Sequence, residues 1–561
     1  MTVNNSKYRL AAESLYQASD LERFDFNSTA DLEPLSTTIG QDRALQAINF
    51  SVEMHHINFN LYVMGSSGLG RHALVREALK ERAANATRPS DWCYVSNFQH
   101  QHSPYALQMP AGTGRALRTD LQQLVEDLLK AIPAAFQGDE FQRRHAEIIQ
   151  DIKGREDQAA EELDELASDR HIVLLRGTNG FTLTPEKQGK ALSSEEFEEL
   201  PEEEKQQFRE SLDDVKKQIR ATMDKAPEWQ HEIQNRMRVL DREIMMLTVN
   251  QFLKSLEEKY REYQDVQKYL AELKADIIEN ADWFRRLDAN GEQTVTADDP
   301  VFNRYKVNTL VDNAETRGAP LIFEDNPTYQ NLIGRVEHIA HMGMLQTDFT
   351  LIKAGALHRA NGGYLILDAE KVLSNPYAWE GLKRVLYARE IRIQSLERQL
   401  SLVSTISLEP EPIPVDLKVV LIGSRRLFYL LKEYDPEFAL LFKVAADFSE
   451  EMPREDDNEL LYARLIATLQ HREGLREIER DGVARIIEHS ARRSWDNEKL
   501  SLHMGSLLDL LREADFHARK SDSLLVRRQD VLAAIDAQVH RANQWQEKLQ
   551  EEIVKGTLRI D

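Results

Sequence analysis

The sequence predicts an α/β protein. Its parts are a doubly wound parallel sheet, a long helical, coiled-coil-like insertion carrying a small β-hairpin, and an all-α region at the end. Three observations predict it. Short apolar runs bounded by turn residues recur at 60–64, 364–367 and 417–423, as in strands covered on both faces. The first run leads straight into a glycine-rich loop and then a helical pattern. From about 117 to 281 glycines are few, and Glu, Lys, Gln and Leu dominate, the composition of long helices with solvated faces.

With 561 residues the chain has room for three or four domains. Hydrophobic residues make up 42% and charged residues 29%, enough apolar material for a sizeable core. The net charge of −23 argues against a nucleic-acid surface, which needs a basic face. One cysteine, Cys93 within WCYVSNF, leaves no disulfide framework and suits a reducing cytoplasm. It reads as a buried strand residue. No apolar run approaches the ~18 residues of a membrane span, and the first ten residues lack the apolar core of a secretion signal.

In chain order, residues 1–36 read as a short extension. Gln41 to Met54 has helical apolar spacing, Asn60 to Met64 is a strand, and His72 to Leu79 is a helix. The loop between them is Gly65, Ser66, Ser67, Gly68, Leu69, Gly70, Arg71, His72. Glycines let backbone N–H groups approach phosphates, and a helix start favours negative charge. Gly65 and Gly70 keep the spacing of the G-x-x-x-x-G-K-[ST] pattern. Arg71 replaces the lysine and His72 the hydroxyl residue. A guanidinium still pairs with phosphate but is not interchangeable with an ammonium. Imidazole is a poor ligand for Mg²⁺, which prefers oxygen. The competing reading is a glycine turn that holds no nucleotide.

Trp92 to Phe98 is the next expected strand. Two long helical segments come after it at 120–168 and 205–282, separated by a hairpin signal, Thr178-Asn179-Gly180, within His171 to Leu183. Ser193 to Glu196 (SSEE) is an N-cap pattern for the return helix. Residues 282–300 read as a linker, and the sheet resumes from Tyr305. The stretch LHRANGGYLILDAE, Leu357 to Glu370, sets a buried strand before Asp368. An acid at the carboxyl end of such a strand sits where open α/β sheets bind ligands, and in nucleotide-binding sheets it holds Mg²⁺. The alternative is a helix-capping Asp. Asn458 to about Lys555 is helical by pattern. The expected division is 1–36, a sheet domain from 37–116 and 300–450, an insertion at 117–299, and a helical domain at 451–561.

IGQDRALQAI, NPTYQNLIGRVEH, TDFTLIKAGALHRANGGYLILDAE, EPEPIPVDLKVVLIG and DPEFALLFKVAADF, taken in order, resemble Lon-type ATP-dependent proteases. The likeness is to the divergent bacterial branch with a helical insert in its AAA+ module. It implies that Gly65 to His72 is the Walker A loop and that Leu365 to Asp368 is the Walker B strand, with ATP and Mg²⁺ as cofactors. The acid that polarises water in active members would follow Asp368; Ala369 stands there, and Glu370 comes one later. Ser424 or Arg425 takes the sensor position. The neighbour-supplied arginine finger falls near Lys443, a cation without a bidentate fork. A lid sensor arginine is Arg512, with Arg492 and Arg493 as second choices. These departures make slow or absent hydrolysis an expectation, because phosphoryl transfer needs base, metal and finger together.

The family's serine–lysine peptidase domain would begin where this chain stops, at GTLRID, which favours a piece of a longer protease. The resemblance implies a cytoplasmic homo-hexamer that recognises unfolded or damaged proteins, unfolds them and feeds them to that domain. Aromatics near Tyr329 or Phe349 could grip chains in its pore. The alternative is a nucleotide-independent scaffold or cage that admits unfolded proteins. A nucleic-acid motor of the same superfamily is a third, remote reading, opposed by the acidic charge. All of this places the loop 65–70 and Asp368 in one cleft, on adjoining strand ends.

Overall fold

The computed structural model describes residues 16–35, 38–54, 56–177, 180–187, 190–193, 197, 200–285, 295–341, 344–394 and 408–559. The hairpin turn residues Thr178 and Asn179, and Ser194 to Glu196 of the expected helix cap, lie outside them. The chain forms two compact units. One comprises Met1–Cys93, Gln108–Gly114 and Thr309–Asp561, the other Tyr94–Leu107 and Arg115–Asn308.

The first unit is built on five strands: β1 (Leu61–Met64), β2 (Leu321–Glu324), β3 (Tyr364–Asp368), β4 (Lys418–Gly423) and β5 (Val444–Asp447). Their order is β5-β1-β4-β3-β2, and every neighbouring pair is parallel. Parallel strands need crossovers, and the helices of those crossovers cover both faces. Alternate residues therefore enter two different cores. Leu61, Val63, Ile366, Val420 and Ile422 pack with helix Asp42–Glu53, helix α1 (Arg71–Asn85) and the helices after 456. Tyr62, Leu365, Leu367, Val419 and Leu421 pack with helices Tyr329–Ile333, Ala378–Ala388 and Arg425–Tyr434.

Tyr329 and Phe349, the candidate pore aromatics, are both buried, at 5% exposure each, so neither presents a ring to a passing chain here. The two glycines ahead of β3 are steric necessities. Gly362 has φ 82°, and a Cβ on Gly363 would meet Pro320 Cγ at 2.9 Å.

The region read as wholly helical from 451 carries a pair of short strands. Lys499–Ser501 pairs antiparallel with Glu451–Pro453, and the long helix α3 (Met504–Lys520) begins only after it. The shorter helix directly after β3, Ala369–Ser374, is α2. The extension packs on the lid helices: Thr29 Oγ1 donates to Gln470 Oε1 at 3.1 Å and accepts from Ile478 N at 3.0 Å.

The second unit is mainly helical, with Asp139–Asp169 and Ala226–Lys259 the longest helices. Arg155 and Arg236 bridge these two through Glu232 and Asp151. Strands Ile172–Gly177 and Gly180–Lys187 pair antiparallel, the hairpin expected from the Asn-Gly signal.

Asp91 is a buried staple of the first unit. Its carboxylate accepts from Gly112 N at 2.7 Å, Gly114 N at 3.0 Å and Asn313 N at 2.7 Å, at 0% exposure. Asp91→Ala strands three backbone donors. We expect it to lower the unfolding free energy by about 2–4 kcal/mol in urea denaturation, and a loss below about 0.5 kcal/mol would contradict the assignment.

Candidate functional site

The register of the sheet sets the site. Met64 lies beside Gly423, and Ile422 lies beside Asp368, so β1, β4 and β3 end almost level. The glycine loop leaves β1 at this edge and Asp368 ends β3 at the same edge. They are not on adjoining strands as expected, because β4 runs between them.

The loop has the geometry of a phosphate cradle. Gly68 and Gly70 adopt φ of 89° and 76°, and α1 starts on Gly70 with no side chain capping its first N–H groups. Free N–H groups at the start of a long helix are an anion site. The replaced residues behave differently from those of the usual pattern. Arg71 turns back across the sheet end and donates from Nη1 to the Gly423 carbonyl. Burial lowers its pKa, while Tyr62, Asp368 and Glu370 act in the opposite direction. His72 packs edge-on against Phe323, with ring centroids 5.8 Å apart. Burial lowers its pKa, as does the neighbouring Arg71 cation. The charge of Asp368 is felt at both Arg71 and His72, so the acid and the loop do meet at one edge.

Asp368 also caps α2, accepting from Lys371 N at 3.0 Å, while the Lys371 ammonium pairs with Asp325. The capping alternative is thus observed, and the same carboxylate also lies near the loop. Ala369, where the family's acid would stand, is buried at 2% exposure, and Glu370 is exposed. An open depression runs past Asp325, Asp368, Glu370 and Asn375.

The phosphates of a nucleotide therefore fit the loop, with N–H groups and Arg71 to meet them. Mg²⁺ fits less well. Asp368 offers one carboxylate, His72 offers no oxygen, and no cluster of three metal-binding side chains occurs among the described residues.

Of the other expected residues, Ser424 caps helix Arg425–Tyr434 through Leu427 N. Arg425 reaches Asp447 Oδ1 at 2.7 Å and Glu450 Oε1 at 2.6 Å, and also the Phe448 carbonyl. Lys443 precedes β5 at the opposite edge of the sheet, its ammonium 5.0 Å from the Phe59 ring centroid. That puts it at the strand starts, away from the loop that follows β1. Arg512 pairs with Glu473 at 2.6 Å, two turns into α3, ~12 Å from the helix start. The start of α3, not Arg512, meets the loop: Gly505 N donates to Gly68 O at 3.0 Å. Arg493 reaches that end, donating to Ser506 Oγ at 3.0 Å.

Sequence reasoning missed Ser66–Glu450 and Gly68–His503. Ser66 Oγ donates to Glu450 Oε1 at 2.5 Å, and this bond, ahead of the Arg425 charge, lowers the Glu450 pKa. The only signal was His503-Met-Gly-Ser, a capping pattern inside a stretch read as continuous helix.

A strand–glycine loop–helix with an acid two strands away, on a 5-1-4-3-2 parallel sheet, defines an AAA+-type nucleotide-binding module. Comparison with known proteins agrees and narrows it. Residues 317–449 match the LonB-like AAA domain family, 477–541 the archaeal LonB AAA+ ATPase lid domain, and 91–124 the helical domain of Lon-like LonC. The chain is also similar to the Archaeal Lon protease of Archaeoglobus fulgidus, at 26% identity over 230 residues, 40% of this chain and 36% of the relative. Three separate parts of the chain are thus similar to Lon-like AAA+ proteins. Among solved structures, NtrX from Brucella abortus shares 18% identity over 37% of this chain and 43% of that one. Its complex with ATP shares 16% over 38% and 42%. The TM-score is 0.25 for both, too low a superposition to support any assignment.

The lid beside the loop contains a pH-sensitive group. His489, with Nδ1 unpartnered among the described residues, lines a small cavity with Arg493, His503 and Ser506. Burial, then Arg485, Arg493 and Arg492, lower its pKa from 6.5 to about 4. The unfolded chain takes up this proton first as pH falls, so stability is lost between about 6.5 and about 4. In denaturation at stepped pH, the wild type should lose about 1–3 kcal/mol more across that window than His489→Gln. Equal losses would exclude His489.

Proposed function

We propose that this chain is the polypeptide-handling ATPase module of a Lon-like protease, with the loop Gly65–His72 taking the phosphates of ATP or ADP. The reading is carried by the level strand ends, which bring Arg71, His72, Asp368 and Glu370 to one edge. Backbone N–H groups at the start of α1 bind phosphate oxygens, and Arg71 supplies positive charge once it leaves Gly423. Asp368 faces any Mg²⁺ that accompanies the nucleotide. Glu370 is the carboxylate left to orient water, since Ala369 has none. Lys443, at the opposite edge, serves the site of the next subunit in a ring, expected to be a homo-hexamer. Arg512 holds α3 to Glu473, which fixes the lid. ATP hydrolysis would supply the free energy for moving a chain.

Unfolded or damaged proteins are the substrates on this reading, passed to a serine–lysine peptidase domain beyond the residues present. The matched region covers 36% of the archaeal relative's length. No helix among the described residues is long and apolar enough to cross a membrane.

A second reading is supported by the buried Ala369 and by the hold of Glu450 and His503 on the loop: a scaffold or cage for unfolded chains that works without nucleotide. Calorimetric titration with ADP and ATP separates the two. On the first reading binding saturates, and Arg71→Ala weakens it about tenfold or more. Asp368→Ala reduces the effect of added Mg²⁺ with little change in metal-free ADP affinity. Absence of heat up to millimolar nucleotide favours the scaffold.

Steady-state turnover gives a further check. With Ala369 in place of an acid, phosphate release should be slow, and Glu370→Gln should lower what remains about tenfold or more. Fast wild-type turnover abolished by Glu370→Gln would instead make Glu370 a competent base.

A further inference from the structure

We propose that the loop carries its own plug: the His503 imidazole and the start of α3 rest on the loop apex, and a nucleoside diphosphate must displace them to enter. The proposal rests on the loop being a phosphate cradle and adds how access to it is controlled.

Two tethers hold the loop. At Gly68, His503 lies flat against bare backbone. A Cβ there would come within 2.7 Å of Nε2 and 2.9 Å of Nδ1, and φ is 89°. No residue but glycine permits this approach. The ring is fixed from behind, because Nδ1 accepts from Ser506 N at 3.2 Å and lies 2.8 Å from Ser506 Oγ. Beside it, Gly505 N donates to Gly68 O, joining lid and loop main chain to main chain at 3.0 Å. At Ser66, the hydroxyl donates to Glu450, which Arg425 holds in place at 2.6 Å.

One of these contacts, Gly505 N to Gly68 O, is a hydrogen bond to the loop's backbone, one takes the Ser66 side chain, and the His503 ring meets Gly68 by close approach, unlike the apolar packing that seats α3 through Leu507, Leu510 and Leu511. A phosphate approaching the N–H groups of the loop meets the imidazole at the apex and a carboxylate at the flank. The ring must leave and the anion must be outcompeted. The closed loop is thus maintained by groups that have to move for the site to be used. His503 is a gate rather than a catalytic residue.

The test uses the full chain without nucleotide. His503→Asn keeps a good cap for α3 but removes the ring. Glu450→Gln keeps an acceptor for Ser66 but removes the charge. Amide exchange over 65–73 and ADP affinity by calorimetry are read in parallel. We expect loop exchange about tenfold faster in His503→Asn, and ADP affinity about five- to tenfold tighter in both variants. Unchanged exchange in His503→Asn with ADP affinity equal to wild type overturns the plug and leaves the cradle reading intact. Faster exchange without ADP binding by any of the three proteins supports the tether but overturns displacement by nucleotide, and the cradle reading with it. Weaker ADP binding in His503→Asn overturns the plug by making the imidazole a ligand.

Discussion

The parallel ladder of β1, β4 and β3 is the constraint on which the rest depends. Residue-for-residue pairing fixes Met64 against Gly423 and Ile422 against Asp368. A shift of one residue would turn Leu365 and Leu367 toward the wrong core and carry Asp368 off the edge. The same alternation that fills two apolar cores therefore also determines where the loop and the acid meet. Burial of the strands and placement of the site are one requirement.

Substituting arginine for lysine in the loop changes more than charge strength. A lysine presents a compact ammonium, whereas Arg71 has a longer reach and a planar fork. It uses that reach to take the carbonyl that ends β4, the strand lying between loop and acid. The cation is thus stored at the site's edge against a backbone acceptor, partly desolvated. Ala369 fills the core beside Gly423, where a Cβ on that glycine would come 3.0 Å from it. That close packing favours a small side chain over a projecting acid. The glycine spacing of the loop is kept, its Lys and hydroxyl positions are Arg71 and His72, and no acid stands at 369.

Much of the sheet was legible because fully buried parallel strands leave continuous apolar runs. The runs Tyr364 to Leu367, Asn60 to Met64 and Leu417 to Gly423 match the strands formed to within a residue. The insertion was legible from its composition, and its hairpin from Asn-Gly. Three features were not. The position of β4 between loop and acid is a matter of strand order, which periodicity along one strand does not encode. The short strand Lys499–Ser501 was hidden because its one apolar residue, Leu500, also fits the helical period of α3. The contacts Ser66–Glu450 and Gly68–His503 join residues 384 and 435 positions apart, and no local pattern announces them. Glycine spacing made Gly68 conspicuous as a phosphate residue, while its closeness to a lid imidazole could be seen only once the chain was folded.

The central claim is that one sheet edge, formed by the loop after β1 and the acid after β3, receives nucleotide phosphates. A crystal structure of the chain grown with ADP and Mg²⁺ tests it most directly. The account predicts the β-phosphate within hydrogen-bond distance of the N–H groups of Gly68 to His72, Arg71 released from Gly423, and Asp368 facing the phosphate. Nucleotide bound elsewhere, or bound at this edge with Asp368 turned away and Arg71 still on Gly423, would contradict it.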